Sequence, residues 1–146
     1  MQELRAYLDE RLSENHFIQY MGLQLTHLEI GYAEMSLEIK THHLQQNGFT
    51  HGGVTATILD VVTGIGAYTT VAKGKNVVTA DLKVSYLNPS TAPKILATGK
   101  VKKSGNFLVF CEGELYDIFE DGTRKLVASC QSIMCAVDIP IQYQTS

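Results

Sequence analysis

Hydrophobic residues recur along this chain at two spacings, and each spacing predicts one kind of element. Near the start, four apolar residues stand three or four positions apart among charged ones: Leu4, Tyr7, Leu8 and Leu12. This spacing predicts an amphipathic helix over residues 1–14. Strict alternation of apolar and polar residues over Tyr32 to Lys40 predicts a half-buried strand. Leu23 to Ile30 predicts a partner strand before it, with Gly31 in a tight turn between the two.

Four more strands are predicted in the second half of the chain. The first comes from the alternation of Val78, Ala80, Leu82, Val84 and Tyr86 with Val77, Thr79, Asp81, Lys83 and Ser85. The others run from Ile95 to Lys103, from Phe107 to Phe119 and from Arg124 to Val137. Ser104-Gly105-Asn106 joins one pair of strands, and the Asp121-Gly122 pair is a strong hairpin signal for the last two.

A long apolar segment, Gly53 to Val71, separates the two groups of strands. It is apolar or small nearly all the way round, which fits either a buried pair of strands or a helix enclosed by other structure. The length and the absence of internal turn residues favour the central helix over residues 53–71. Gly64 and Gly66 disfavour a helix by about 1 kcal/mol each relative to Ala, but they also permit close backbone approach.

The predicted order is therefore a helix, two strands, a buried helix and four strands. A helix that is apolar on all sides needs a sheet that curls around it, which is an α+β arrangement. The sequence contains no internal repeat, linker or low-complexity segment. We predict a single domain over residues 1–146, a length that buries about two-thirds of the unfolded surface.

Composition narrows the possible partners. Only 18% of the residues are charged, below the usual quarter, which suits a subunit that covers some surface with copies of itself. The net charge of -3 gives no electrostatic reason to expect nucleic acid or an anionic membrane as a partner. The charged N-terminus lacks a secretory signal, and the most apolar window, Gly52 to Ala72, contains five threonines and an aspartate. We expect no membrane insertion and a cytoplasmic location.

The residues exclude several familiar chemistries. There is no glycine-rich phosphate loop and no dinucleotide fingerprint, so no cofactor is expected. Cys111, Cys130 and Cys135, an odd number, indicate a reducing compartment and are interpreted as small buried hydrophobic residues. No carboxylate stands at metal-ligand spacing beside the pair His42-His43, so we predict no metal site.

One segment retains the features of a site. Asn47 to Gly53 runs directly into the central helix, and Asp60 follows nine residues after His51. Free N–H groups and the positive end of the helix dipole can hold an oxyanion there, although the glycines could equally serve only a sharp turn. Asp60 is the only charged residue between Gly52 and Ala72. It is either a structural aspartate bonded to local backbone or Thr57, or a functional group with space left beside it by Gly64.

These motifs resemble those of a known family. Gly48-x-x-His51-Gly52-Gly53 is followed by Asp60 and then by Val78-Thr79-Ala80-Asp81-Leu82-Lys83-Val84-Ser85-Tyr86-Leu87-Asn88-Pro89. This pattern resembles the PaaI-type hotdog thioesterases, including the mammalian acyl-CoA thioesterases of that branch. The resemblance runs from about Phe17 to Val137 and includes Met21-Gly22-Leu23 and Lys103-Ser104-Gly105-Asn106.

The resemblance implies a hotdog fold, in which an antiparallel sheet wraps a long central helix. It also implies homodimers with a continuous sheet, commonly paired into tetramers, and hydrolysis of acyl-CoA at the dimer interface. In this reading Gly52, with Gly53 behind it, donates to the thioester oxygen. Asp60 from the partner subunit is the nucleophile or the base, and Thr79 orients the attacking water. The implied CoA-binding residues are Asn88, Pro89, Ser90, Lys103, Ser104, Gly105 and Asn106.

One position departs from the family pattern. Many members carry Asn six residues before the His, where this chain has Gln45. Gln45 keeps the amide but is one methylene longer, and Asn47 could take its place if the loop follows a different path. His51 is expected to bond loop backbone rather than to move protons. CoA would be part of the substrate and not a cofactor.

Two other classes of function are weighed against hydrolysis. A non-catalytic acyl-CoA-binding hotdog module, such as the sensor half of a regulator, would carry a separate DNA-binding segment, for which the short N-terminal helix leaves no room. A hotdog dehydratase would open its helix with Pro-Gly, and Thr50-His51-Gly52-Gly53 lacks that proline. The residues therefore favour a thioester hydrolase.

Overall fold

The computed structural model describes residues 1–138 of the chain. The expected single domain extends to residue 146, and its last eight residues lie outside the described ones. The helices are α1 (Gln2–Glu14), α2 (His16–Met21) and α3 (Gly52–Tyr68), and the strands are β1 (Gln24–Glu29), β2 (Tyr32–Glu38), β3 (Asn76–Tyr86), β4 (Lys94–Ser104), β5 (Leu108–Ile118) and β6 (Arg124–Val137).

The six strands form one antiparallel sheet in the order β1-β2-β4-β5-β6-β3. The central helix α3 packs against β2, β3, β4, β5 and β6. Its inward residues, such as Ile58, Leu59 and Val62, are fully buried in the main core. The predicted α+β fold, with an antiparallel sheet around a central helix, is confirmed.

The long apolar segment forms one helix, so the alternative prediction of two buried strands is wrong. It begins at Gly52 and ends at Tyr68, whereas the sequence predicted residues 53–71. It approaches the sheet very closely at Gly99 of β4, where an added Cβ would stand 2.6 Å from the carbonyl oxygen of Val62. Only a glycine allows the backbone of the helix and the backbone of the strand to come this near each other.

Helix α2 was not predicted. Its first turn is capped by Asn15, whose side-chain oxygen accepts a hydrogen bond from the Ile18 N–H at 3.0 Å. It ends at Met21, and the next residue, Gly22, adopts a left-handed conformation with φ of 82°. Six residues are too few to display a helical period, so the cap and the terminal glycine were its only signals in the sequence.

The strand β3 lies at the edge of the sheet and contains a β-bulge. Its pairing with β6 shifts between Thr79 and Asp81, which leaves Ala80 as the extra residue. Below the bulge Val77 packs against the core and Val78 is 43% exposed. Above it Leu82 and Val84 pack against the core. The bulge therefore reverses which residues face α3, and Thr79 joins that face.

A final structural observation concerns membranes. Within residues 1–138, no helix combines the length and the apolar character needed to cross a bilayer.

Candidate active site

Asp60 lies in the middle of α3 and accepts a hydrogen bond from β3. The Thr79 hydroxyl donates to Oδ1 of Asp60 at 2.7 Å. The apolar residues around Asp60 in the sequence predicted a fully buried carboxylate. In the structure it is half-buried. Thr57, the alternative partner, instead donates its hydroxyl to the carbonyl of Gly53 at 2.8 Å. Asp60 is thus accessible and is held from the edge strand.

The start of α3 presents one free backbone donor. His51 is the N-cap, and its Nδ1 accepts a hydrogen bond from the Gly53 N–H at 2.8 Å. The N–H of Gly53 is therefore engaged, and His51 makes the kind of backbone contact expected of it. No acceptor within residues 1–138 bonds the N–H of Gly52, the first residue of the helix. Gly52 is the donor that a ligand at this helix end would meet.

The loop before the helix folds on itself. The Gly48 N–H donates to the Gln45 carbonyl at 3.0 Å, and Gly48 takes a left-handed φ of 86°. The side-chain oxygen of Gln45 accepts from the backbone N–H of Asn47. Gln45 is half-buried and Asn47 is exposed. The side chains of Gln45 and Asn47, the two candidate amides, thus belong to one turn. Both the backbone carbonyl and the side-chain oxygen of Gln45 accept hydrogen bonds within this turn.

A buried histidine anchors this loop to the rest of the domain. His43 is 1% exposed; its Nδ1 accepts from the Lys40 N–H at 2.9 Å and its Nε2 lies 2.8 Å from the Met21 carbonyl. Its own carbonyl accepts from the His51 N–H at 2.8 Å. Burial lowers the pKa of His43 below its usual 6.5. A neutral ring that donates at Nε2 and accepts at Nδ1 satisfies both contacts.

An open cleft of about 320 Å³ adjoins the free N–H of Gly52. Five of the predicted site residues line this cleft: Gln45, Gly52, Asn88, Pro89 and Ser90. Tyr86 also lines it and was not predicted as a site residue. Its hydroxyl donates to the Gly52 carbonyl at 2.7 Å, and its ring lies close to the α-carbon of Gly52. The only signal in the sequence that Tyr86 faces the helix was its position as the last of the alternating apolar residues of β3.

Ser90 is committed to an internal contact. Its hydroxyl donates to the fully buried carboxylate of Asp117 at 2.5 Å, and the N–H groups of Thr91 and Ala92 donate to the other carboxylate oxygen at 2.8 and 3.2 Å. The Ser90 hydroxyl is thus engaged inside the domain, and the role of Ser90 in binding CoA stays a prediction. Asp117 fixes the loop, and the Ser90 carbonyl accepts from the Thr50 N–H at 3.0 Å.

The remaining predicted binding residues form the exposed turn after β4. Lys103, Ser104, Gly105 and Asn106 are all exposed, and the Gly105 N–H donates to the Leu108 carbonyl at 2.8 Å. Ser104 pairs with Val109, Val109 with Met134 and Met134 with Thr79. Three strand spacings separate the turn from Thr79, about 14 Å. The turn is thus at the same end of the sheet as Asp60.

The candidate oxyanion donor, Gly52, and the candidate nucleophile or base, Asp60, are well separated within one chain. Gly52 and Asp60 are eight residues apart on one continuous helix, which places their backbones about 12 Å apart. A reacting carbon must lie about 3 Å from both an oxyanion donor and a nucleophile or base. Within one chain the two groups thus stand more than two helical turns apart.

Two of the three cysteines, Cys111 and Cys130, are poor nucleophiles. Burial raises the pKa of Cys111 and that of Cys130 to about 11 each, so both thiols are protonated at neutral pH. In the same part of the chain, residues 1–138, no three His, Cys, Asp or Glu side chains are grouped closely enough to hold a metal ion.

Comparison with known proteins points to one family. A family model described as the thioesterase superfamily matches residues 47–120. The chain is 26% identical to human acyl-coenzyme A thioesterase 13 over 129 residues, 87% of this chain and 89% of the relative. It is 28% identical to the proofreading thioesterase EntH of Klebsiella pneumoniae over 108 residues, 68% of this chain and 77% of the relative.

Solved structures give the same fold. A thioesterase family protein from Silicibacter pomeroyi superposes with a TM-score of 0.88 at 23% identity, over 92% of this chain and 98% of that one. The PaaI protein of E. coli, from the phenylacetic acid degradation operon, superposes with a TM-score of 0.78 at 17% identity, over 92% and 94%. At these identities the likeness is one of fold.

Proposed function

Since the chain belongs to the thioesterase superfamily, we propose that it hydrolyses the thioester bond of acyl-CoA, with free acid and CoA as products. The site is shared between two copies of the chain. The observation that carries this proposal is the half-buried carboxylate of Asp60, held by the Thr79 hydroxyl at 2.7 Å, on the same helix as the free Gly52 N–H. The name of the human relative, an acyl-coenzyme A thioesterase, supports CoA as the thiol.

Two copies can complete the site because β3 is an open edge. Within residues 1–138 its 11 residues pair only with β6, although Val78 and Tyr86 are exposed apolar side chains on it. A long edge strand of this kind is a template for another strand. Pairing of β3 with β3 of a second copy would extend the sheet across a twofold axis.

The register of that pairing follows from two contacts. Thr79 marks the position of Asp60 along β3, and Tyr86 marks the position of Gly52 through its 2.7 Å hydrogen bond to the Gly52 carbonyl. Because Ala80 is an extra residue at the bulge, an antiparallel pairing that sets Lys83 opposite Lys83 of the second copy would set Thr79 opposite the second copy's Tyr86. The Asp60 of one copy would then lie near the Gly52 of the other, twice per dimer.

The groups in this shared site suffice for thioester hydrolysis. Gly52 N–H binds the carbonyl oxygen, where one such donor contributes about 2.7–4 kcal/mol to stabilising the developing oxyanion. Asp60 either takes a proton from a water molecule that attacks the carbonyl carbon, a contribution of about 10²–10⁴-fold, or attacks that carbon itself to form a mixed anhydride that water later hydrolyses. The C–S bond then breaks, and the thiolate of CoA leaves. A thiol has a pKa near 8.5, so its departure needs no strong general acid.

The proposal also covers the cofactor requirement, the contacts with CoA, the assembly and the location of the protein. The reaction needs no cofactor, because CoA is part of the substrate. Asn88 and Pro89 at the cleft, and the turn from Lys103 to Asn106, are proposed to contact CoA. We further propose that dimers pair into tetramers. A cytoplasmic location is proposed from the three free cysteines.

A hydrolysis screen tests the function. Wild type and Asp60→Asn are incubated with acyl-CoAs of varied length and aromaticity, and free thiol is measured. The expected result is turnover by wild type and a loss of kcat of about 10²-fold or more in Asp60→Asn, with affinity retained. Asn is nearly isosteric and keeps one acceptor oxygen, so the fold should persist.

Three outcomes would contradict the proposal. Acyl-CoA binding by wild type without turnover would identify a binding module. Full activity in Asp60→Asn would exclude the role of Asp60. A monomer at micromolar concentration in light scattering would exclude the shared site.

A further inference from the structure

A second cavity, of about 500 Å³, lies between α1 and the segment that joins α3 to β3. Its volume is within the range of small-molecule sites. The residues that give it its chemistry are Leu4, Tyr7, Arg11, Tyr68, Lys73 and Lys75. We call it the tyrosine cavity.

The tyrosine cavity has an aromatic wall with a cation fixed to it. The rings of Tyr7 and Tyr68 stack with centroids 6.1 Å apart at an angle of 21°. Arg11 donates from Nη1 to the Tyr7 hydroxyl at 3.0 Å, and its guanidinium carbon lies 5.7 Å from the centroid of that ring. This hydrogen bond lowers the pKa of Tyr7. The Tyr7 hydroxyl accepts from Arg11, so its own proton is available to a ligand.

The charges at the cavity favour an anion. Lys75 pairs with Asp138 at 2.9 Å. Arg11 and Lys73 have no carboxylate within 4.0 Å among residues 1–138. Glu3 is the one acidic residue of the cavity wall. The wall thus combines an apolar surface, from Leu4 and the two rings, with two cations that lack an ionic partner there.

One face of α3 connects the proposed reaction centre to this cavity. Asp60, Gly64 and Tyr68 follow each other at four-residue intervals and so lie on the same face of the helix. Gly64 leaves that face bare, since only the terminal carbon of Met134, at 3.8 Å, would contact an added Cβ there. Tyr68 lies about 12 Å along the helix from Asp60. We call these three residues the acyl track.

We propose that the acyl group of the substrate lies along the acyl track and that its far end occupies the tyrosine cavity, which selects acyl groups that end in a carboxylate. This inference rests on the proposed hydrolysis of acyl-CoA and names its substrate class. The apolar chain contacts Leu4 and the tyrosine rings. The terminal carboxylate meets Arg11, Lys73 and the Tyr7 hydroxyl, which together offer charge-assisted hydrogen bonds.

The test compares octanoyl-CoA with suberoyl-CoA, which has the same chain length and differs by its terminal carboxylate. The protein is wild type, Arg11→Gln, Lys73→Gln or the double variant, and Lys100→Gln, on the outer face of β4, is the matched control. We expect wild type to prefer suberoyl-CoA in kcat/KM. Arg11→Gln should lower kcat/KM for suberoyl-CoA by about tenfold, with octanoyl-CoA changed less than about twofold.

Equal kcat/KM for the two thioesters in wild type would overturn the inference and leave the proposed hydrolysis intact. An equal effect of Arg11→Gln on both thioesters would do the same. If wild type hydrolyses no thioester, the proposed function fails. The binding of free suberate and of free octanoate to the protein is then measured by calorimetry. Suberate binding that is lost in Arg11→Gln would support an anion site in the tyrosine cavity, and no suberate binding would exclude it.

Discussion

The hydroxyl of Thr79 lies 2.7 Å from a carboxylate oxygen of Asp60, and a single extra residue in β3 makes this contact possible. Without the bulge at Ala80, strict alternation would put Thr79 on the face opposite Leu82 and Tyr86, away from α3. The bulge turns it inward. Bulges of this kind often re-aim a side chain beside an active site, and here the side chain is the only described partner of the Asp60 carboxylate.

Thr79→Val therefore tests whether the hydroxyl orients Asp60. Valine keeps the shape but removes the donor, and a hydrogen bond to a charged group is worth about 1.5–3 kcal/mol. We expect kcat to fall about tenfold or more, with the melting temperature nearly unchanged because Thr79 is exposed. Thr79→Ser, which keeps the hydroxyl, should retain most of the rate. Equal kcat in wild type and Thr79→Val would remove Thr79 from the site.

Gly64→Ala separates stability from activity at the acyl track. Alanine raises the helix propensity by about 1 kcal/mol, and its Cβ would meet only the terminal carbon of Met134 at 3.8 Å. We expect a higher melting temperature together with a lower kcat/KM for long acyl groups, and little change with acetyl-CoA.

Gly66→Ala is the matched control for that experiment. Its Cβ would lie 3.3 Å from the Gly99 carbonyl oxygen, so it should lower the melting temperature. An unchanged chain-length preference in Gly64→Ala would show that acyl groups do not pass Gly64.

The two adjacent lysines at the end of β4 offer a matched pair for CoA binding. Lys102 lies 3.6 Å from a carboxylate oxygen of Glu112, whereas Lys103 has no carboxylate within 4.0 Å among residues 1–138. We expect Lys103→Ala to raise KM with kcat nearly unchanged, the pattern of lost uniform binding. Added salt should weaken wild type more than Lys103→Ala. Lys102→Ala should match wild type, and identical kinetics in all three proteins would assign Lys103 to the solvated surface.

Buried His43 predicts how stability depends on pH. Burial lowers its pKa in the folded state, while in the unfolded chain it titrates near 6.5. The unfolded state then binds more protons below pH 6.5, so the stabilisation is present above that pH and is lost as the pH falls through the folded pKa. The difference in free energy of unfolding between wild type and His43→Gln should narrow below pH 6.5, by at most about 1.4 kcal/mol per pH unit. Urea titrations at pH 7.5 and 5.5 measure it, and a constant difference would contradict the neutral ring.

The sequence predicted the architecture because its periodicities are long. The alternation in β2 and the apolar segment that became α3 each extend far enough to define their period. Short features failed: α2 has six residues, and the bulge at Ala80 changes one residue in an otherwise regular strand. Neither leaves a periodic signal. The alternation pattern placed Thr79 on the face away from α3, and only the resemblance to the family pattern indicated that it belongs to the site.

Local structure around the candidate site was predictable, whereas contacts between residues far apart in the sequence were not. The pattern His51-Gly52-Gly53 describes its own helix start. The hydrogen bond of Ser90 to Asp117 could not be predicted, because Asp117 lies 27 residues away on β5. Asp60 looked buried because its neighbours in sequence are apolar, yet it faces the open edge of the sheet. Its partial exposure follows from its position beside β3, the edge strand of the sheet.

The central claim, that Gly52 and Asp60 act from different subunits, has its sharpest test in a mixture of two inactive variants. Gly52→Pro removes the N–H donor at a position whose backbone suits proline. Proline is favoured at the first helical position, and His51 before it already has the extended backbone that precedes proline, with φ of -61° and ψ of 138°. Gly52→Ala, which keeps the N–H, controls for the added Cβ beside Tyr86. Asp60→Asn supplies the other inactive chain.

The measurement is thiol release after Gly52→Pro and Asp60→Asn chains are unfolded together, refolded as a 1:1 mixture and assayed with acyl-CoA. In a mixed dimer one site carries both substitutions and the other carries neither. Because half of randomly formed dimers are mixed, the account predicts recovery of about a quarter of wild-type activity. No activity above that of the separate variants, in a mixture shown to contain mixed dimers, would contradict the shared site.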